Sequence, residues 1–202
     1  NGHLDSHGIW MEDCNDAAPW IVDNNRIQAT GNAAITRVDG VRAIGACHPV
    51  IDGNLQITGG GEGNASNPTG IRCGANAQGG ASKCVVLGNR KIEGSVAGFP
   101  PIATGVRCDD GGCNRIASNL ITGRGGLVSV GVWVGSTGTF VDYNEIRGGC
   151  SGDATGVRTD DAYARLQNNR IFGYSSADCG LGGSNGNPTE SYGVRAFNDA
   201  GS

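Results

Sequence analysis

Apolar positions along this chain recur in short bursts rather than in long amphipathic stretches. One burst reads Gly, then Val or Ile, then Arg or Trp. It occurs at Gly8-Ile9-Trp10, Gly40-Val41-Arg42, Gly70-Ile71-Arg72, Gly105-Val106-Arg107, Gly131-Val132-Trp133, Gly156-Val157-Arg158 and Gly193-Val194-Arg195. Successive motif glycines are 32, 30, 35, 26, 25 and 37 residues apart. A second burst falls between each pair: an aliphatic residue, two others, Asn, one or two others, Ile, and usually Gly two positions later. Its copies are Val22/Asn25/Ile27, Ile51/Asn54/Ile57/Gly59, Val86/Asn89/Ile92/Gly94, Ile116/Asn119/Ile121/Gly123, Val141/Asn144/Ile146/Gly148 and Leu166/Asn169/Ile171/Gly173.

Each burst is three to five residues long, rich in β-branched side chains and alternating with period two. Such segments form short strands, and no segment shows a helical period of 3.6. Two bursts repeating in fixed order at a period of 25 to 37 residues define one coil of a solenoid. The Asn between two strands is a turn residue that tolerates left-handed backbone. Stacked coil on coil, the six Asn form an amide ladder. The Gly after the last strand permits a bend. Variable stretches such as 59–64 and 180–187 lie where a solenoid accommodates insertions, because each coil needs only to stack on its neighbour.

Composition agrees. Gly is 37 of 202 residues, aromatics are 5% and charged residues 17%, so a core of small aliphatics is expected. A net charge of −4 argues against nucleic acid as a partner. No apolar run is long enough to span a membrane. A lone coil buries about three aliphatics worth about 1.5–3 kcal/mol each. Ordering about 30 residues costs on the order of 1 kcal/mol apiece. Neighbouring coils must therefore supply the difference. Residues 1–202 are expected to form one repeat domain, itself a piece of a longer solenoid.

These strand–Asn–strand coils resemble the right-handed parallel β-helix proteins of the pectate-lyase-like superfold, especially repeat regions of secreted bacterial surface proteins. The resemblance implies an all-β, right-handed parallel β-helix of about six to seven coils. That superfold hosts lyases, hydrolases, adhesins and spikes, so the resemblance speaks to fold far more than to activity.

The chain has eight Cys and no C-x-x-C pair, which reads as disulfide staples in an oxidising, extracellular or cell-surface setting. Cys14 and Cys47 lie at matching places in adjacent coils, as do Cys150 and Cys179. Each couple is expected to bridge. Coils three and four hold Cys73 with Cys84 and Cys108 with Cys113. Co-occurrence within a coil favours Cys73–Cys84 and Cys108–Cys113, while Cys73–Cys108 with Cys84–Cys113 is the rival.

The residue two after each motif Gly forms a column: Trp10, Arg42, Arg72, Arg107, Trp133, Arg158 and Arg195. The preceding aliphatic points inward, so this column points outward. Guanidinium forks and an indole face suit an acidic polysaccharide. The alternative is repeat duplication, with acidic neighbours pairing the arginines. Acid pairs recur at Glu12-Asp13, Asp109-Asp110 and Asp160-Asp161. Such pairs serve glycoside hydrolysis or hold Ca²⁺, but these belong to a repeated turn, and a plain solvated turn is the simpler reading. Asp109, Asp110, Asp160 and Asp161 are accordingly weak calcium candidates, with no resident cofactor expected. His3, Asp5 and His7 alternate along one strand without an evident third ligand, so a strand end is expected there. Asn64-Ala65-Ser66 matches a glycosylation acceptor.

The reading that follows is a non-enzymatic structural or adhesive module. A polysaccharide lyase or hydrolase and an acidic-glycan-binding module are the competitors. Self-association through the ends, or stacking on further coils of the same protein, is the expected partner mode. An active site would stand out from the repeat, and no position is expected to do so.

Overall fold

The fold comes from a computed structural model, which describes residues 5–14, 20–31, 35, 37–62, 67–97, 102–150, 152–174 and 190–197. Three sheets run along the molecule. The first contains β1 (Asp5–Glu12), β4 (Arg37–Ile44), β7 (Thr69–Gly74), β10 (Ile102–Asp109), β13 (Val128–Gly135), β16 (Asp153–Asp160) and β19 (Glu190–Phe197), stacked in that order. The second stacks β2 (Ile21–Asp23), β5 (Val50–Asp52), β8 (Cys84–Leu87), β11 (Cys113–Ala117), β14 (Thr139–Asp142) and β17 (Ala164–Gln167). The third stacks β3 (Arg26–Gly31), β6 (Gln56–Glu62), β9 (Ile92–Ala97), β12 (Leu120–Arg124), β15 (Glu145–Arg147) and β18 (Arg170–Phe172). The ladders between neighbours are parallel, each strand pairing with its copy one coil away. The protein is a parallel β-solenoid.

The two sequence bursts set the register. Ile9, Val41, Ile71, Val106, Val132, Val157 and Val194 align along the first sheet. The second sheet aligns Val22, Ile51, Val86, Ile116, Val141 and Leu166. The third aligns Ile27, Ile57, Ile92, Ile121, Ile146 and Ile171. These columns converge on one apolar core, in which the middle coils are fully buried.

The expected Asn ladder is present from Asn54 to Asn169 and runs in one direction; Asn25 departs from it, donating its backbone N–H to Asn54 Oδ1 (3.1 Å) while its own Nδ2 turns to the Asp23 carbonyl. The Nδ2 of Asn54 donates to Asn89 Oδ1 (2.9 Å), Asn89 to Asn119 (2.8 Å), Asn119 to Asn144 (3.0 Å) and Asn144 to Asn169 (3.0 Å). The left-handed residue, however, is not the ladder Asn. It is the residue before it: Asn24, Gly53, Gly88, Ser118, Tyr143 and Asn168 all have φ between 53° and 60°. The ladder Asn residues themselves are not among those with positive φ.

One glycine expectation changes. Gly59, Gly94 and Gly123 lie inside β6, β9 and β12 rather than at a bend. A Cβ at Gly123 would stand 2.3 Å from the Val130 carbonyl oxygen, so the requirement is close approach of two backbones. First-sheet strands are also longer than the motif, reaching eight residues by extending upstream of its Gly. Those upstream residues differ in type from coil to coil yet pair through their backbones.

Within the described residues the disulfides are Cys14–Cys47, between coils, and Cys73–Cys84 and Cys108–Cys113, each within a coil. The last two are stacked, Cys73 beside Cys108 and Cys84 beside Cys113. Their Cβ atoms replace aliphatic core groups, and all four are buried. Cys150 is disulfide-bonded; Cys179, its expected partner, lies outside the described residues, as do His3 and Asn64-Ala65-Ser66.

Candidate functional site

The outer face of the first sheet carries the charged side chains that the repeat brings together. Trp10, Arg42, Arg72, Arg107, Trp133, Arg158 and Arg195 stand in unbroken register, as the sequence spacing implies. They do not form an open cationic stripe. Arg72 and Arg107 share Asp109, at 2.9 Å and 2.8 Å. Arg158 Nε donates to Asp160 at 2.9 Å. Arg195 reaches Asp153 at 2.7 Å and Glu190 at 3.3 Å. Arg42 stands 3.4 Å from Asp5 and 3.8 Å from Asp39.

Aromatic faces take up the rest of the column. Trp133 is clamped between the guanidiniums of Arg107 (4.2 Å) and Arg158 (4.1 Å) and is only 9% exposed. Arg158 and Arg195 both lie over Phe197, at 4.4 Å and 4.6 Å. Each cation–π contact is worth about 0.5–2 kcal/mol. Trp10 differs, being 57% exposed.

The acid pairs acquire a backbone explanation. Asp109 and Asp160 lie two residues beyond an Arg on the same strand face and pair with it. Asp13, Asp110 and Asp161 each adopt positive φ, between 39° and 46°, at the turn that leaves the first sheet. Asp tolerates that conformation better than most residues. Asp13 also accepts from the Ala46 N–H (3.2 Å) and from Asn76 Nδ2 (2.7 Å), linking the first three turns. Among the described residues no group of three or more His, Cys, Asp or Glu is placed to hold a metal ion.

One position does stand out from its copies, contrary to the expectation from sequence. The residue immediately before the motif Gly reads His7, Asp39, Thr69, Thr104, Val130, Thr155 and Tyr192. Its side chain lies on the outer face beneath the Trp/Arg column: His7 packs edge-on against Trp10 (5.2 Å between centroids), and Arg195 covers Tyr192 at 4.7 Å. From Thr69 to Thr155 this floor is small, buried and uncharged. In the first two coils it is titratable. His7 Nδ1 stands 3.5 Å from Asp39 Oδ2, and His7 Nε2 stands 4.0 Å from Asp5 Oδ2. Both ring nitrogens of His7, both Asp39 oxygens and Arg42 Nε are buried without a hydrogen-bond partner. Burial pushes the Asp39 carboxyl up to about 6, against the opposing pull of Arg72, Arg42 and Arg37 and of the neighbouring Thr69 hydroxyl, which approaches Asp39 without reaching full hydrogen-bond geometry. Burial, reinforced by Arg42, pulls the His7 imidazole below its ordinary value, against the opposing influence of Asp5. Setting the seven motif copies side by side and reading the residue before each Gly would have revealed the break.

No protein-family model, no curated protein and no solved structure matches the chain.

Proposed function

We propose that the chain is a non-enzymatic structural segment of an extracellular β-solenoid, a stiff spacer or adhesive stalk. It would belong to the right-handed, pectate-lyase-like kind found in secreted bacterial surface proteins. One observation carries this reading: every arginine of the outer column meets a carboxylate of its own chain. A stripe neutralised from within acts as side-chain cladding over the first sheet. The three disulfides among the described residues support an oxidising setting. Among the described residues the strands β2, β3, β17 and β18 each have a neighbour on one side only, an edge that favours association with further coils or another copy. No helix among the described residues is long and apolar enough to cross a membrane.

The exposed face of Trp10 favours a second reading, a glycan-binding surface limited to the first coils. Incubation with pectate, alginate and hyaluronate separates these readings, with ultraviolet detection of unsaturated product and calorimetric detection of binding. The structural reading expects neither signal. Product release would overturn it in favour of a lyase, and saturable heat without product would favour glycan binding.

A further inference from the structure

The pair His7 and Asp39 has no counterpart in the other coils, and nothing in the stacking requires it. Small or aliphatic residues fill the same floor position from Thr69 to Thr155 without charge. Asp39 is 0% exposed, and the His7 imidazole is 6% exposed. Burying an acid against a base costs stability unless their polar atoms are satisfied, and beside the Thr69 hydroxyl a proton held between His7 and Asp39 supplies that partner to both. Oδ2 of Asp39 and Nδ1 of His7 face each other at 3.5 Å, a small inward movement from a hydrogen bond.

Arg42 is the group that responds. Its Nη1 lies between two carboxylates, 3.4 Å from Asp5 and 3.8 Å from Asp39, while its buried Nε bonds to neither. It also lies over the Trp10 ring at 5.8 Å. We propose that His7, Asp39 and Arg42 form a pH-sensitive switch in which a proton held between His7 and Asp39 hands Arg42 to Asp5, and loss of that proton draws Arg42 back to Asp39. The solvent supplies and receives the proton, and no covalent bond changes.

The surroundings fit this assignment. β1 contributes Asp5 and Trp10 beside His7. β4 contributes Arg37, 3.8 Å from Asp5, and Arg42. β7 contributes Arg72, whose own closest carboxylate is Asp109 at 2.9 Å. With the proton bound, the His7–Asp39 unit is neutral overall, and Asp5 is the full negative charge left beside Arg42. With the proton gone, Asp39 is a buried carboxylate, and Arg42 stands 3.8 Å from it. The switch thereby couples mild acidification to the position of the charge beside the exposed Trp10.

The test follows the nitrogen signals of the His7 ring, the Arg42 Nε–H and the Trp10 indole by NMR between about pH 3 and about pH 8, a range that brackets the ordinary values of the pair. The three sets of signals are expected to move together with one shared midpoint. Asp39→Asn is expected to abolish the Arg42 and Trp10 shifts and to lower the His7 midpoint further. Asp5→Asn is expected to keep the His7 titration while weakening the Arg42 shift. Static Arg42 and Trp10 signals while His7 titrates alone in the unaltered chain would overturn the switch, whether or not the variants fold. Shifts that persist in Asp39→Asn would overturn it as well.

Discussion

Asn119 accepts twice from Asn89 through a single oxygen: Oδ1 receives the Asn89 backbone N–H at 2.9 Å and the Asn89 side-chain amide at 2.8 Å. Its own Nδ2 donates onward to Asn144 Oδ1 (3.0 Å), to Val86 O (3.0 Å) and to Ala117 O (2.8 Å). Oxygen and nitrogen therefore have opposite duties that cannot be exchanged. Asn119→Asp keeps the acceptor and turns the donor into a buried anion facing three acceptors. The expected loss is about 3 kcal/mol or more at neutral pH in denaturant unfolding. Burial raises that carboxyl, so part of the loss should return on acidification, when protonation restores one donor. Unchanged stability in Asn119→Asp would show that the ladder contributes little.

The turn before the ladder makes a second, smaller prediction. Gly53 (φ 60°) has nothing within 4 Å of where a Cβ would stand, so Gly53→Ala measures backbone strain alone. It should cost about 1 kcal/mol. Tyr143 holds the same conformation (φ 56°) with an exposed ring. Tyr143→Gly should move the opposite way, by a few tenths to about 1 kcal/mol, because relief of strain outweighs the added freedom of the unfolded chain. Thermal melts of the two variants should shift in opposite directions.

The columns of the solenoid were legible because repetition makes them so. An inward Val or Ile and a ladder Asn appear in copy after copy, and stacking converts a sequence offset directly into register. The within-coil pairing of Cys73 with Cys84 was favoured by co-occurrence for the same reason. What did not repeat was not read. The upstream halves of β1, β4 and β10 pair through backbone groups that carry no side-chain signature. The left-handed position is shared by Asn24, Gly53, Ser118 and Tyr143, four residue types with little in common. The arginine column was legible as a column, but its pairing with Asp109, Asp153 and Asp160 depends on which face each acid takes. His7 and Asp39 belong to different bursts of sequence and meet only through the β1–β4 register.

The motif glycine predicts a larger effect. A Cβ at Gly105 would meet Ile121 Cγ2 at 2.5 Å and the Gly131 carbonyl oxygen at 2.6 Å. The carbonyl belongs to the adjacent coil, so the strand cannot yield without breaking its ladder. Gly105→Ala should cost about 3 kcal/mol, at the upper end for an overpacked site. A melt within error of the unaltered chain would mean that the two coils sit farther apart than described.

The buried pair predicts opposite pH slopes in two single variants. Asp39 is raised from 3.8 to about 6, so its contribution to stability is present below 3.8 and lost as pH rises through about 6. His7→Gln isolates that group and should gain on the order of 2 kcal/mol between neutral pH and about pH 4. His7 is lowered from 6.5, so its contribution is present above 6.5 and lost as pH falls through its folded value. Asp39→Asn isolates it and should weaken on mild acidification. Urea midpoints taken at several pH values check both signs, and parallel slopes would contradict the assignment.

The structural role of the arginine column is the central claim, and the double variant Arg72→Gln with Arg107→Gln tests it most directly. The two guanidiniums share Asp109, and Arg107 clamps Trp133. Unfolding and polysaccharide binding should be measured on the same sample. The account predicts a stability loss of about 1–3 kcal/mol, from unpaired Asp109 and lost stacking, with no acidic polysaccharide bound before or after the change. Undiminished stability, together with acidic-polysaccharide binding that the variant loses, would contradict it.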